Sequence, residues 1–129
     1  MEVGYETNKG GKINATIQNI TFQNMTVLHN FHKLVMSIHN ADDAAVSDIL
    51  FCNITVEDAS MDKGDAGENA QLIDITIESS NNWSTTKNRG TVDNVKFGGI
   101  YVVDGDDTID FREDNLCRFV LWAMMRNIW

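Results

Sequence analysis

The chain has 129 residues, 43% of them hydrophobic and 9% aromatic, which is enough for one domain with one core and too apolar for intrinsic disorder. Ten Lys and Arg stand against 19 Asp and Glu, a formal charge of −9; nucleic acid, whose phosphates need clustered basic residues, and anionic membrane surfaces are therefore not expected partners. No apolar run approaches the roughly 18 residues needed to span a bilayer.

In chain order, Met1-Glu2-Val3-Gly4-Tyr5 reads as a strand. Three longer segments then share one grammar: Ile17-Gln18-Asn19-Ile20-Thr21-Phe22-Gln23-Asn24-Met25-Thr26-Val27, Val46-Ser47-Asp48-Ile49-Leu50-Phe51-Cys52-Asn53-Ile54-Thr55-Val56 and Val92-Asp93-Asn94-Val95-Lys96-Phe97-Gly98-Gly99-Ile100-Tyr101-Val102. Each runs aliphatic, then Asn or Asp two residues on, then aliphatic-x-Phe, then Asn or Gly, and ends on Val. Apolar residues alternate within each half, as in strands, and the Asn or Gly between the halves can take the left-handed conformation of a sharp corner.

A second strand type falls between the copies, as Leu34-Val35-Met36-Ser37-Ile38 and Leu72-Ile73-Asp74-Ile75-Thr76-Ile77, and more weakly as Met1 to Tyr5 and Thr108-Ile109-Asp110-Phe111. Two strands round a corner, a turn and a third strand, repeated, predict an all-β fold: a short right-handed parallel β-helix, a solenoid of about three to four coils over residues 1–112. Stacked coils would align Ile on Ile and Phe on Phe, with the Asn positions as a hydrogen-bonded ladder. The polar stretches Asp58 to Asn69 and Ser79 to Gly90 read as loops inserted between coils. An antiparallel sandwich would need hairpin signals, and Asp104-Gly105 supplies one.

Beyond Phe111, Leu116, Phe119, Val120, Ala123 and Met124 fall at helical spacing. They predict a helix over 114–127 within an apolar segment, 113–129, that caps one end or contacts another copy. A small solenoid with such a tail is expected to self-associate as a homo-oligomer. Cys52 and Cys117 lack metal-ligand spacing and read as free thiols.

These runs resemble the polygalacturonase-like glycoside hydrolases, right-handed β-helix enzymes acting on pectin and related polysaccharides; the resemblance covers about residues 1 to 104, lies in the Val46 to Val56 type of run, and implies a polysaccharide or oligosaccharide partner. It also implies a secreted or periplasmic setting if the parent degrades polysaccharide. Two alignments remain open. In one, Ile38-His39-Asn40-Ala41-Asp42-Asp43 resembles the family's strand ending in paired aspartates, so Asp42 and Asp43 would be acid and base, with Glu2 or Glu6 nearby and His39 tuning them. In the other, Met1 to Tyr5 resembles the strand downstream of those aspartates, and the chain is a non-catalytic part of such an enzyme.

His39 and Asn40, the loop His29-Asn30-Phe31-His32-Lys33 through His32 and Lys33, and the indole of Trp83 are candidate sugar contacts. Asp42 and Asp43 can equally be turn formers whose side chains bond the backbone. No cofactor or metal is expected: His29 and His32 have no third ligand, and the acidic loop Glu57 to Asp65 lacks the Glu that closes an EF-hand. Five Asn-x-Ser/Thr triplets, at Asn14, Asn19, Asn24, Asn53 and Asn82, arise mostly from the repeat itself.

Overall fold

The computed structural model describes residues 1–8, 16–29, 35–58, 72–82, 84–104 and 107–111. These residues are all-β, with seven strands: β1 (Glu2–Tyr5), β2 (Thr16–Val27), β3 (Met36–Asn40), β4 (Ala45–Val56), β5 (Ile73–Ile77), β6 (Thr91–Asp104) and β7 (Asp107–Phe111). Val, Ile, Thr and Phe dominate them, the side chains that suit a pleated, half-buried surface. The chain visits two sheets in alternation, one ordered β1-β3-β5 and the other β2-β4-β6-β7, and every neighbouring pair but the last is parallel.

The register follows the repeat. Ile17 pairs with Val46 and Val46 with Val92; Phe22 pairs with Phe51 and Phe51 with Phe97; Val27 pairs with Val56 and Val56 with Val102. Asn19, Asp48 and Asn94 hold φ of 60°, 57° and 51°, and Asn24, Asn53 and Gly99 hold 56°, 52° and 60°. These six fall out of the paired register. Each left-handed residue turns the chain and adds one position to the strand period. Inward side chains therefore recur at spacings of three and two rather than two alone, as Val46, Ile49, Phe51, Ile54 and Val56, all buried, demonstrate.

Side chains at the corners bond from pass to pass: Asn53 Nδ2 donates to Asn24 Oδ1 at 2.8 Å, and Asn94 Nδ2 donates to Asp48 Oδ1. Inside, Phe22, Phe51 and Phe97 stack with ring centroids 5.0 Å apart at each step and interplanar angles of 12° and 5°. The middle pass, β3 and β4, is the most deeply buried, because it alone has a parallel neighbour on both sides in each sheet.

Two expectations are corrected. Thr108 to Phe111 forms a strand, but it pairs antiparallel with β6 rather than joining β1, β3 and β5. Asp104 lies opposite Asp107, so the hairpin signal read at this point of the sequence prevails over the weaker resemblance to the second strand type. Cys52 is not a free thiol but disulfide-bonded; its expectation failed because two distant cysteines carry no pairing signal of their own. Cys117, the expected helix over 114–127 and the whole segment 113–129 lie outside the described residues.

Candidate functional site

The turn 41–44 joins β3 to β4 and is packed from both flanking passes. Asp42 is fully buried. Its Oδ2 accepts from the backbone N–H and the hydroxyl of Thr85, both at 2.6 Å, and its Oδ1 accepts from the N–H of Thr86 at 3.0 Å and from the Thr86 hydroxyl. Burial, the largest single influence, pushes its pKa up; the four donors together outweigh burial and hold the carboxyl well below the usual carboxylate range. Its backbone is engaged as well: the N–H donates to Thr7 Oγ1 at 2.9 Å, and the carbonyl accepts from Gly90 N–H at 2.7 Å. All acceptor directions of the carboxylate are filled, so Asp42 is a staple for the 84–90 loop in the turn-forming sense, and it offers no lone pair or proton to a ligand. Asp43, beside it, is half-buried.

Asn40 plays a similar part. Fully buried, it accepts from Thr7 Oγ1 at 2.6 Å and donates to the carbonyls of Ala44 at 2.8 Å and Thr91 at 3.1 Å. One amide thus ties three successive passes. Arg89 and Ser84 close the same corner by donating to the carbonyl of Ala41. Gly90 must be glycine here, since a Cβ would lie 1.7 Å from the carbonyl oxygen of Ala44.

A different constellation faces outward from the β1-β3-β5 sheet. His39 Nε2 lies 2.8 Å from Asp74 Oδ2, and its Nδ1 lies 3.6 Å from Glu2 Oε1. Thr76 donates to the other oxygen of Asp74 at 2.8 Å. Glu2 and Asp74 both pair laterally with Ser37, while Gly4 and Thr76 pair with His39. The imidazole therefore sits between two acidic strands. Gly4 lets the β1 backbone approach that of β3 here: φ is 131°, and a Cβ would come within 1.9 Å of the His39 carbonyl oxygen.

The side chains of Glu2 and Asp74 are 30% and 27% exposed, that of His39 13%. The two acidic strands lie about 10 Å apart, two inter-strand spacings. An inverting pair of carboxylates needs a water in the gap between them, and here the His39 ring, bonded on one side and 3.6 Å from Glu2 on the other, occupies it. What the row presents to solvent is its two part-exposed carboxylates, held in place by His39 and Thr76, which are acceptors suited to sugar hydroxyls.

Of the residues singled out in the sequence, His39 is thus in the outward row and Asn40 and Asp42 are in the packed corner. His32, Lys33 and Trp83 lie outside the described residues. His29 is described, with Nδ1 2.5 Å from Asp58 Oδ2 at the exposed ends of β2 and β4. Asp74 went unremarked by the sequence reading, although aligning Met36-Ser37-Ile38 with Ile73-Asp74-Ile75 puts it one strand from His39. Thr85 and Thr86 carried no comparable signal. Among the described residues no group of three or more His, Cys, Asp or Glu could hold a metal ion. No protein-family model, no curated protein and no solved structure matches the chain.

Proposed function

We propose that the chain is a short right-handed parallel β-helix that binds polysaccharide or oligosaccharide along the outer face of the β1-β3-β5 sheet, as the non-catalytic part of a carbohydrate-active protein. The observation that carries this reading is the Glu2–His39–Asp74 row, in which His39 and Thr76 hold two part-exposed carboxylates on one face, ready to accept from sugar hydroxyls. The coil reading is supported by the alternation of parallel strands between two sheets, by the stacked phenylalanines and by the corner ladder; parallel crossovers within one sheet are nearly always right-handed. A disulfide at Cys52 accords with an oxidising compartment, where polysaccharides are met.

Binding is favoured over cleavage by Asp42 and Asp43 because the Asp42 carboxylate is saturated by Thr85 and Thr86. The test is a panel of acidic and neutral oligosaccharides, read both by calorimetric titration and by release of reducing ends. The expected result is affinity that drops at least tenfold in His39→Ala and Asp74→Asn, with no new reducing ends. Cleavage that vanishes in Asp42→Asn or Asp43→Asn would overturn the reading and establish a hydrolase.

A further inference from the structure

The β2 edge carries a second surface, independent of what the outer face of the other sheet binds. β2 is the edge strand of the order β2-β4-β6-β7, with no strand beyond it among the described residues, whereas the far edge of β6 is covered by β7. Folded chains blunt long edge strands with charge, proline or brevity. β2 is 12 residues long and reads TIQNITFQNMTV, with neither a charge nor a proline, although 22% of the whole chain is charged. Among the described residues the end of the core is open at the same place. Phe22 stacks on Phe51 and is half-buried, while Phe51 is fully buried; Met25 and Leu28 are 38% and 68% exposed.

We propose that this edge is a self-association surface, at which two copies of the chain pair β2 against β2, antiparallel, about a twofold axis through Thr21. The occupant is a second copy because the strand is self-complementary. Ile20 and Phe22 flank Thr21 at one residue, and Ile17 and Met25 flank it at four. In an antiparallel pair centred on Thr21, Ile20 lies opposite Phe22 of the second copy, and Ile17 and Met25, beyond the corners, extend the same apolar face. Opposed residues project to the same side of a sheet, so apolar meets apolar and the core continues across the axis. The corners at Asn19 and Asn24, two residues before and three after Thr21, confine direct pairing to the short run between them. An uncharged strand also lets two chains of −9 approach with least repulsion. Head-to-tail stacking would need the β6 edge, which β7 occupies; the association therefore closes at two copies instead of running on as a fibre.

The test is light scattering coupled to size exclusion over a concentration series of the full chain, beside Thr21→Lys, which sets two ammonium groups against each other on the axis. The wild type is expected to be a dimer and Thr21→Lys a monomer with an unchanged far-UV circular dichroism spectrum. Should Thr21→Lys fail to fold, Thr21→Cys decides: only a twofold axis at this residue brings it opposite itself, so mild oxidation should give a covalent dimer absent from the wild type and from Gln18→Cys. A wild type that stays monomeric overturns the proposal; slowly exchanging β2 amides in that monomer would mean that another part of the same chain covers the edge. A dimer that survives Thr21→Lys, with no cross-link through Thr21→Cys, overturns it as well.

Discussion

Among the described residues, five non-glycine positions hold φ between 51° and 60°, and all five are Asn or Asp at the corners of β2, β4 and β6. A side chain costs about 1–2 kcal/mol in this region unless it is short and polar enough to bond locally, and here Asn24, Asn53, Asp48 and Asn94 also bond from pass to pass. Asn53→Val should therefore destabilise the fold by about 2 kcal/mol, and Asn53→Gly, which keeps the conformation and loses only the bond to Asn24, by less; urea unfolding of the pair measures the difference. Asp42 sets an acid limit. Its folded pKa is depressed below the unfolded value of about 3.9, so its contribution is fully present above that value and is lost as pH falls through the folded pKa. Stability of the wild type should decline below about pH 4, and Asp42→Asn should be less stable at neutral pH with a shallower decline. The left-handed corners were legible because Asn, Asp and Gly recur there. The Asp42 clamp was not, because Thr85 and Thr86 lie more than 40 residues on, in a loop outside the repeat.

Phe51 stands at the middle of the stack that joins the three long strands. Phe51 is fully buried and stacked on both faces, Phe22 on one. Phe51→Ala should cost about 3–5 kcal/mol, and Phe22→Ala clearly less, since its outer face has little contact to lose; thermal or urea denaturation of the two variants orders them. Gly90→Ala should be severely destabilising for a different reason, a backbone collision with Ala44 that no rotamer relieves. The register of β2, β4 and β6 could be read directly, since the spacing of Ile, Phe and Val survives an insertion of any length between passes. β7 was misassigned because the run Thr108 to Phe111 fits either sheet, and only its antiparallel pairing with β6 decides between them.

At the scale of the molecule, parallel stacking brings together residues far apart in the chain. Glu2, His39 and Asp74 become one row only because β1, β3 and β5 are successive neighbours. Among the described residues, the same stacking leaves β2 as an open edge and β6 as a covered one. The candidate row was half legible: Glu2 and His39 could be associated from the strand pattern, while Asp74 needed the second strand type to be aligned as carefully as the first. The measurement that tests this stacking most directly is a nuclear Overhauser spectrum of isotope-labelled protein. It should show amide-to-Hα contacts in parallel register from Thr21 and Phe22 to Leu50 and Phe51, from there to Lys96 and Phe97, and from Gly4 to His39 to Thr76. Close Hα–Hα contacts between β2 and β4, the mark of antiparallel pairing, or a register displaced by even one residue would contradict it and disperse the row on which the proposed sugar-binding face depends.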